Sequence, residues 1–378
     1  MKRIAGLAKI FLAICMACCA SAYAEVGVTS NSIVIGQSAA LSGPAMELGN
    51  GMRDGAMAYF EHVNNQGGVF GRKIILKSLD DGYEADRAAA NTKHLIEKEG
   101  AFSLFGYVGT PTSNAALAAV NQARIPFFAP FTGASSLRDP FNRNVFNIRA
   151  SYMEETEKII EHIATLTMTR VAVFYQNDAY GKAGLEGVTR ALKKRNLEVV
   201  STATVERNST DVAEAVNKIK ASNPQAVVMI SAYTSCAEFI KAMLAQDSHP
   251  LFWNISFVGS QALANKLGKD ARGVLISQVM PAPWNDITLV AKEYKKLYAK
   301  DSSHLPDYVS LEGYVAAKIF VEGLRRAGPN LTRENFIKAL ESQPIDAGGF
   351  RVKFDNNNHN GSSFVDLTVI AKDGRFLR

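Results

Sequence analysis

The sequence predicts an α/β protein built from two doubly wound lobes, and three observations support this fold class. Its 378 residues leave room for about two domains of ordinary size. From residue 30 onward, short apolar runs alternate with stretches of helical spacing, which is typical of a parallel sheet with helices on both faces. The alternation starts again near residue 171, so a second sheet of the same kind follows the first.

The first 24 residues form a separate segment. Lys2, Arg3 and Lys9 precede an apolar run over 10–20 and an Ala-x-Ala ending at Ala24. This is the layout of a secretory signal peptide, here cut after Ala24, and it places the mature chain in the periplasm. A retained membrane anchor is the alternative, but the apolar run is shorter than the ~20 residues that a bilayer span needs.

Removal of this segment changes both the charge and the cysteine content. The formal net charge falls from +6 to +3 because three cations leave with the signal peptide. The charge argument for nucleic acid as a partner is thereby lost. Three of the four cysteines leave as well, and the remaining Cys236 cannot form an internal disulfide. We expect Cys236 to be a buried, apolar side chain.

The first lobe is predicted from four strands and three helices in alternation. Apolar runs predict the strands at 33–35, 74–76, 102–105 and 125–129. Helical spacing predicts the helices at 52–63, 86–98 and 113–121. Because strands joined through helices require right-handed crossovers, these strands form one parallel sheet.

The second lobe follows the same pattern after a short connection. The connection, 144–149, is apolar enough to be a strand that crosses directly between the lobes and acts as a hinge. Strands are predicted at 171–174, 198–204, 226–230 and 252–258, with helices at 151–164, 182–194 and 212–221. Three further helices and a polar tail with two strands complete the chain, at 287–300, 308–326, 333–342, 350–354 and 364–370.

Enzyme and metal motifs are missing from the sequence. It contains no P-loop, no His-Glu-x-x-His, no paired Cys-x-x-Cys and no Gly-x-Ser-x-Gly. The six histidines are scattered, and no spacing places two of them on one helix face. We therefore expect a protein without enzymatic activity, metal or cofactor. An enzyme on the same scaffold is the alternative, and it would need a titratable pair in the cleft between the lobes.

Polar, glycine-rich segments follow three strands of the first lobe, at 41–44, 106–113 and 131–135. Ligands of doubly wound sheets lie outside the carboxyl ends of the strands, where amides at helix N-termini are exposed. Thr110, Thr112 and Ser113 supply hydroxyls beside such amides, which suits an anion such as a carboxylate, and Thr132 is a candidate ligand residue in the third segment. Each segment alone is explained by a turn or a helix cap. Together, at one sheet edge, they predict a ligand site.

Three stretches of the sequence carry motifs of a known family. Residues 41–44 read Leu-Ser-Gly-Pro, residues 64–72 fit Asn-x-x-Gly-Gly-Val-x-Gly-Arg, and residues 178–181 read Asp-Ala-Tyr-Gly. With these motifs the chain resembles, over nearly its whole mature length, the periplasmic solute-binding proteins of branched-chain amino acid ABC importers. This leucine/isoleucine/valine-binding protein family has the type I periplasmic binding fold.

The resemblance implies two Rossmann-like lobes joined by three hinge crossovers. Lobe I would comprise 25–146 and 277–345, and lobe II would comprise 147–276 and 346–378. The ligand would be held in the cleft, enclosed by hinge closure and delivered to a membrane permease. The resemblance also implies a monomer that binds a small molecule and no nucleic acid.

The resemblance further implies ligand contacts at matching positions. Thr110 matches the hydroxyl residue that meets the ligand carboxylate, and Phe131 falls where a backbone carbonyl accepts from the ligand ammonium. Leu48 stands where an aromatic residue often covers the ligand side chain, and Tyr233 matches the tyrosine that closes from lobe II. Together with Phe131, three tyrosines would form an aromatic wall that also suits an aromatic carboxylate: Tyr107, Tyr152 and Tyr180.

Two positions depart from the family pattern. Gly133 stands where branched-chain amino acid binders have a threonine, and Ser256 stands where they have a glutamate that pairs with the ammonium. Loss of that acid removes a charge-assisted bond worth about 1.5–3 kcal/mol. Either another acid replaces it or the ligand is not an α-amino acid.

Glu154 is the candidate replacement for this acid. It lies five residues after Arg149, where amino-acid-binding relatives of this fold often carry an acid that reaches the cleft. Alternatively, Glu154 forms a capping box with Ser151 at the start of a helix. We therefore expect a periplasmic binding protein that captures an amino acid or similar small carboxylate for an ABC importer. An aromatic or other organic acid as ligand, or a role as the ligand-sensing partner of a membrane receptor, are the alternatives.

Overall fold

A computed structural model describes residues 25–299 and 305–378 of the chain. The predicted signal peptide lies outside the described residues, and so does the last residue of the helix predicted at 287–300. Within the described ranges, no helix has the length and apolar character needed to cross a bilayer.

The first sheet has five parallel strands in the order β2-β1-β3-β4-β5. The strands are β1 (Ser32–Ala39), β2 (Lys73–Asp80), β3 (Ser103–Phe105), β4 (Phe127–Phe128) and β5 (Val145–Phe146). The helices between them are α1 (Met46–Asn65), α2 (Ala85–Glu97) and α3 (Thr110–Ala123). Because all neighbours are parallel, the loops that follow the strands meet at one edge of the sheet.

Among the described residues, the second sheet has seven strands in the order β14-β13-β10-β9-β8-β6-β7, with β13 (Asp366–Ile370) and β14 (Phe376–Leu377) at one end. Its parallel part comprises β6 (Val171–Gln176), β7 (Val199–Val205), β8 (Ala226–Ile230), β9 (Leu251–Asn254) and β10 (Leu275–Gln278). The helices of this part are α4 (Tyr152–Thr165), α5 (Ala179–Lys193), α6 (Ala213–Ala221), α7 (Tyr233–Ala245) and α8 (Ser260–Leu267). Two alternating α/β sheets confirm the predicted fold class.

The remaining elements follow β10 in the chain. They are α9 (Leu289–Tyr298), α10 (Tyr308–Ala327), α11 (Arg333–Ser342), the short pair β11 (Ile345–Asp346) and β12 (Arg351–Val352), and the antiparallel strands β13 (Asp366–Ile370) and β14 (Phe376–Leu377). Helix α10 packs directly on α1. A Cβ built on Gly55 would lie 1.8 Å from the carbonyl oxygen of Ser310, so only glycine permits this approach of the two backbones.

Within the described ranges, the chain therefore passes between the two halves three times: after β5, after β10 and before β13. The first and third passages lie side by side, because the amide of Asn147 donates to the carbonyl of His359 at 2.9 Å and the amide of Gly361 donates to the carbonyl of Asn147 at 2.7 Å. The predicted crossing strand 144–149 is thus shorter than expected, ending as β5 at Phe146. The predicted lobe boundary at 276/277 falls inside β10, which pairs with strands of the second sheet on both sides.

Candidate functional site

The edge of the first sheet faces loops of the second sheet across a cleft, and several contacts span it. Nε2 of Gln176 donates to the hydroxyl of Tyr83 at 3.2 Å, and the amide of Glu47 donates to the hydroxyl of Tyr233 at 3.4 Å. A Cβ built on Gly259 would lie 2.6 Å from Cδ2 of Leu48. The two lobes therefore touch in this structure.

Five buried aromatic residues meet in the cleft, and we call them the aromatic cluster: Tyr83, Phe131, Tyr152, Tyr180 and Phe257. Tyr83 and Phe131 belong to the first lobe, and the other three belong to the second. The ring of Phe257 lies 6.0 Å from Tyr83, 5.5 Å from Phe131 and 4.5 Å from Tyr180, measured between centroids. The ring of Tyr180 lies 5.4 Å from that of Tyr152.

Arg149 lies beside this cluster and has no solvent exposure. Its guanidinium carbon is 4.5 Å from the ring centroid of Phe131, a cation–π contact. Nη2 lies 3.6 Å from Oε1 of Glu155 and donates to the hydroxyl of Ser256, while Nη1 lies 3.6 Å from Oε1 of Glu312. Burial opposes the charge, but the carboxylates of Glu312 and Glu155 raise the pKa of Arg149.

Glu155 and Glu312 differ in how their oxygens are satisfied. Glu155 accepts from the amide of Ser256 at 2.8 Å, from its hydroxyl at 3.0 Å and from the hydroxyl of Ser277 at 2.6 Å. Oε1 of Glu312 has no hydrogen-bond partner within the described part of the chain. Burial raises the pKa of Glu155 and raises the pKa of Glu312 to about 7.

A short chain of hydroxyls completes the site on the first lobe. Oγ1 of Thr110 and Oγ1 of Thr132 are 2.7 Å apart, and Thr132 donates to the hydroxyl of Tyr152 at 3.2 Å. Thr110 is the first residue of α3. Its hydroxyl therefore lies at a helix N-terminus, where the partial positive charge of the amides favours an anion.

The structure brings together most of the residues that the sequence singled out, but not all. Thr110, Phe131, Thr132, Gly133, Tyr180 and Ser256 lie in one connected cluster around Arg149 and Tyr152. Tyr107 lies apart, because its ring packs on Phe127 at 5.0 Å and its hydroxyl bonds to Thr92 at 3.0 Å within a separate core.

Leu48 and Tyr233 lie at the mouth of the cleft. A cavity of 290 Å³ between α1 and α8 is lined in part by Leu48, Gly259 and Asp307. A second cavity of 410 Å³ shares Glu47 with the first and is lined in part by Tyr233. Neither cavity is lined by a residue of the aromatic cluster.

Gly133 has a clear structural reason for its departure from the family pattern. A Cβ at this position would lie 2.5 Å from Cδ1 and 2.6 Å from the backbone nitrogen of Tyr152. The space of a threonine side chain is therefore occupied by Tyr152, whose amide donates to the carbonyl of Gly133 at 2.7 Å.

Glu154 forms the capping box that was one of its two predicted roles. Its Oε2 accepts from the amide of Ser151 at 2.7 Å and from the hydroxyl at 2.9 Å, and its own amide donates to that hydroxyl at 3.2 Å. The acid that reaches the buried cluster is the next residue, Glu155.

Sequence reasoning missed five residues of the site: Tyr83, Arg149, Glu155, Phe257 and Glu312. A signal for Glu155 existed, because it lies at helical spacing from the buried Ile159 and Ile163 and is therefore an acid on the buried face of α4. An acid on such a face needs a partner.

A family model described as periplasmic binding protein matches residues 32–375. The chain belongs to this family. It is 25% identical to Leu/Ile/Val-binding protein homolog 7 of Brucella abortus, over 95% of this chain and 94% of the relative. The resemblance to solute-binding proteins of branched-chain amino acid ABC importers is thereby confirmed, and family membership implies a periplasmic location.

Solved structures agree with this assignment. A possible leucine/isoleucine/valine-binding protein from Rhodopirellula baltica superposes with a TM-score of 0.87 at 31% identity, covering 94% of this chain and 98% of that one. A substrate-binding periplasmic protein from Ralstonia solanacearum superposes with a TM-score of 0.86 at 32% identity, covering 91% and 99%. These similarities confirm the type I periplasmic binding fold.

Proposed function

We propose that this protein captures a small carboxylate-bearing solute, an amino acid or a related organic acid, in the cleft and delivers it to the membrane permease of an ABC importer. One observation carries the proposal: Arg149 is wholly buried in the cleft, yet its Nε and Nη1 lack hydrogen-bond partners among the described residues. Buried donors of this kind are normally satisfied, so a ligand acceptor is the natural partner.

The chemistry around Arg149 supports a carboxylate. A guanidinium presents a rigid fork of donors that matches carboxylate oxygens. The hydroxyls of Thr110 and Thr132 lie at the N-terminus of α3, and each would turn its single proton from its present protein acceptor to a ligand oxygen. We therefore propose Arg149, Thr110 and Thr132 as the carboxylate site, with Phe131, Tyr180 and Ser256 beside it and Leu48 and Tyr233 over the entrance.

Closure of the lobes would signal to the permease that a ligand is bound. A ligand that contacts both lobes binds best when they touch, so binding shifts the population toward the closed state. The permease then needs only to distinguish closed from open protein. Export by a signal peptide cut after Ala24 is part of the proposal, and N-terminal sequencing of the periplasmic protein should begin at Glu25.

The test uses mature protein that has been unfolded and refolded to remove bound solute. Small carboxylates, including amino acids, are screened for a rise in melting temperature, because a ligand that binds only the folded state stabilises it by about 2.7 kcal/mol at one hundred times its Kd. Calorimetry then compares Thr110→Ala with Thr110→Ser. We expect the alanine variant to bind at least tenfold more weakly and the serine variant to retain most of the affinity.

Two results would contradict the proposal. The first is a panel in which no carboxylate stabilises the protein while an uncharged solute does. The second is chemical turnover of a bound solute, which would indicate an enzyme.

A further inference from the structure

We infer that the preferred ligand is an aromatic monocarboxylate without an α-ammonium group. This inference rests on the proposed function and narrows its ligand class. Three features of the cleft carry it: the acids that could hold an ammonium, the aromatic residues on the two walls, and the charges buried around Arg149.

The acids near the cleft are already engaged by protein groups. Both oxygens of Glu155 accept hydrogen bonds from Ser256, and Oε2 accepts from Ser277 as well. The carboxylate of Glu154 is used in the capping box. The carboxylate of Asp178 caps α5 through the amides of Tyr180 and Gly181. A ligand ammonium would have to share these carboxylates with the protein donors that already hold them.

Glu312 is the exception, because its Oε1 is unbonded within the described ranges. This oxygen lies 3.6 Å from Nη1 of Arg149, so the carboxylate is already paired with that cation. Burial also favours its protonated form. A protonated carboxyl can accept a hydrogen bond from an ammonium but offers it no opposite charge.

The walls of the cleft are aromatic on both sides. Phe257 contacts Tyr83 and Phe131 across the boundary between the lobes, and these are the ring contacts that opening would separate. A planar ring placed between the walls would restore contacts with both. An aliphatic side chain of similar size would gain burial but not the geometry that aromatic pairs prefer.

Arg149 lies where it would contact both the carboxylate and the aromatic ring of the ligand. Its guanidinium carbon lies 4.5 Å from the ring centroid of Phe131, and its Nε and Nη1 have no hydrogen-bond partner among the described residues. A carboxylate bound to one of these atoms would hold the rest of the ligand beside the ring of Phe131. A short linker between carboxylate and ring fits this arrangement.

The charges buried around Arg149 predict that binding of the ligand is linked to uptake of a proton. The charged groups that act on Glu312 are Arg149, Glu155 and Arg138, so two cations face two acids. A monoanionic ligand adds one negative charge, and uptake of a proton by Glu312 would balance it. A zwitterionic amino acid adds no net charge and would require no proton.

The experiment measures four ligands by calorimetry on refolded mature protein: 3-phenylpropanoate, L-phenylalanine, 4-methylpentanoate and L-leucine. Each acid differs from its amino acid only by the α-ammonium, and the two pairs differ by the ring. We expect 3-phenylpropanoate to bind at least tenfold more tightly than each of the other three. Its affinity should fall roughly tenfold between about pH 6 and about pH 8.5, and Glu312→Gln should flatten this dependence.

The variant Phe257→Leu distinguishes the loss of ring contacts with the ligand from a general loss of folding. Phe257→Leu should weaken 3-phenylpropanoate at least tenfold but 4-methylpentanoate less than threefold, so the second ligand serves as the internal control for folding. The inference is overturned if an amino acid binds as tightly as its des-amino partner, if the aliphatic acid matches the aromatic one, or if none of the four binds. In those cases the proposed function still stands as long as another carboxylate stabilises the protein.

Discussion

At the scale of single residues, Glu312 is the group whose ionisation should matter most for stability. Its pKa is about 7 in the folded protein because it is buried, against an ordinary value of 4.5. A carboxyl with a raised folded pKa contributes stability fully below its unfolded pKa, and this contribution is lost as the pH rises through the folded value. The window therefore lies between about pH 4.5 and pH 7.

Glu312→Gln tests this effect. The shift corresponds to roughly 3 kcal/mol, since one unit is worth about 1.4 kcal/mol, and we expect the variant to gain up to this amount on the wild type as the pH rises. Urea unfolding at pH 5 and pH 8 measures the change in the difference between the two proteins. Parallel pH profiles would show that Glu312 titrates normally.

Gly133 gives a second prediction at the residue scale. Because Tyr152 fills the space beside it, Gly133→Thr should destabilise the protein by about 1–3 kcal/mol through overpacking. A double-mutant cycle with Tyr152→Ala isolates the clash. The threonine should cost less in the Tyr152→Ala background because the ring is gone, although the clash with the backbone nitrogen of Tyr152 remains. An equal cost in both backgrounds would assign the whole effect to the backbone.

At the scale of elements, the start of α4 separates a structural role from a ligand role. Ser151→Ala removes the cap and should destabilise the protein by about 1 kcal/mol, with ligand affinity unchanged. Glu154→Gln preserves a capping box, because glutamine can make the same reciprocal bond. It should therefore change neither stability nor affinity, as measured by urea unfolding and calorimetry. Loss of affinity with unchanged stability would place the Glu154 carboxylate against the ligand.

The long, periodic elements were predictable from the sequence. The helices predicted at 308–326 and 333–342 are found as Tyr308–Ala327 and Arg333–Ser342. Strand β10 was missed because its four residues, Leu-Ile-Ser-Gln, contain two polar side chains that are nevertheless buried. The strand predicted at 252–258 ends at Asn254, because the apolar residues after it, Phe257 among them, pack in the cleft rather than in a strand.

The candidate site was predictable only in part, because some of its contacts depend on tertiary packing. Loops at strand ends can be placed from the pattern alone, and this located Thr110, Phe131 and Thr132. The pairing of Arg149 with Glu312 depends on how α10 packs against the other half of the chain, and no local pattern encodes it. A buried ion pair between distant segments is a tertiary property.

At the scale of the whole molecule, a second group of contacts links the lobes at the rim of the cleft. Nδ2 of Asn208 donates to the carbonyl of Gly82 at 3.0 Å and to Oε1 of Glu84 at 2.7 Å. Nη2 of Arg207 lies 3.1 Å from Oε2 of Glu84. These residues follow β7 in the second lobe and meet the loop after β2 in the first. The contacts between these residues form only while the lobes touch. They should therefore favour the closed state without contributing to either core.

Asn208→Gly removes the amide and keeps a residue that tolerates the local φ of +61°. Two hydrogen bonds, one to a carboxylate, are worth about 1–3 kcal/mol, so the ligand should dissociate roughly tenfold faster. Asn196→Gly is the matched control, because Asn196 has a φ of +57° in the same lobe and is exposed. Stopped-flow dissociation should be fast only for Asn208→Gly, and small-angle scattering of that variant without ligand should show a larger radius of gyration. Equal rates in both variants would mean that the rim contacts do not hold the cleft closed, and that the other contacts across the cleft resist opening.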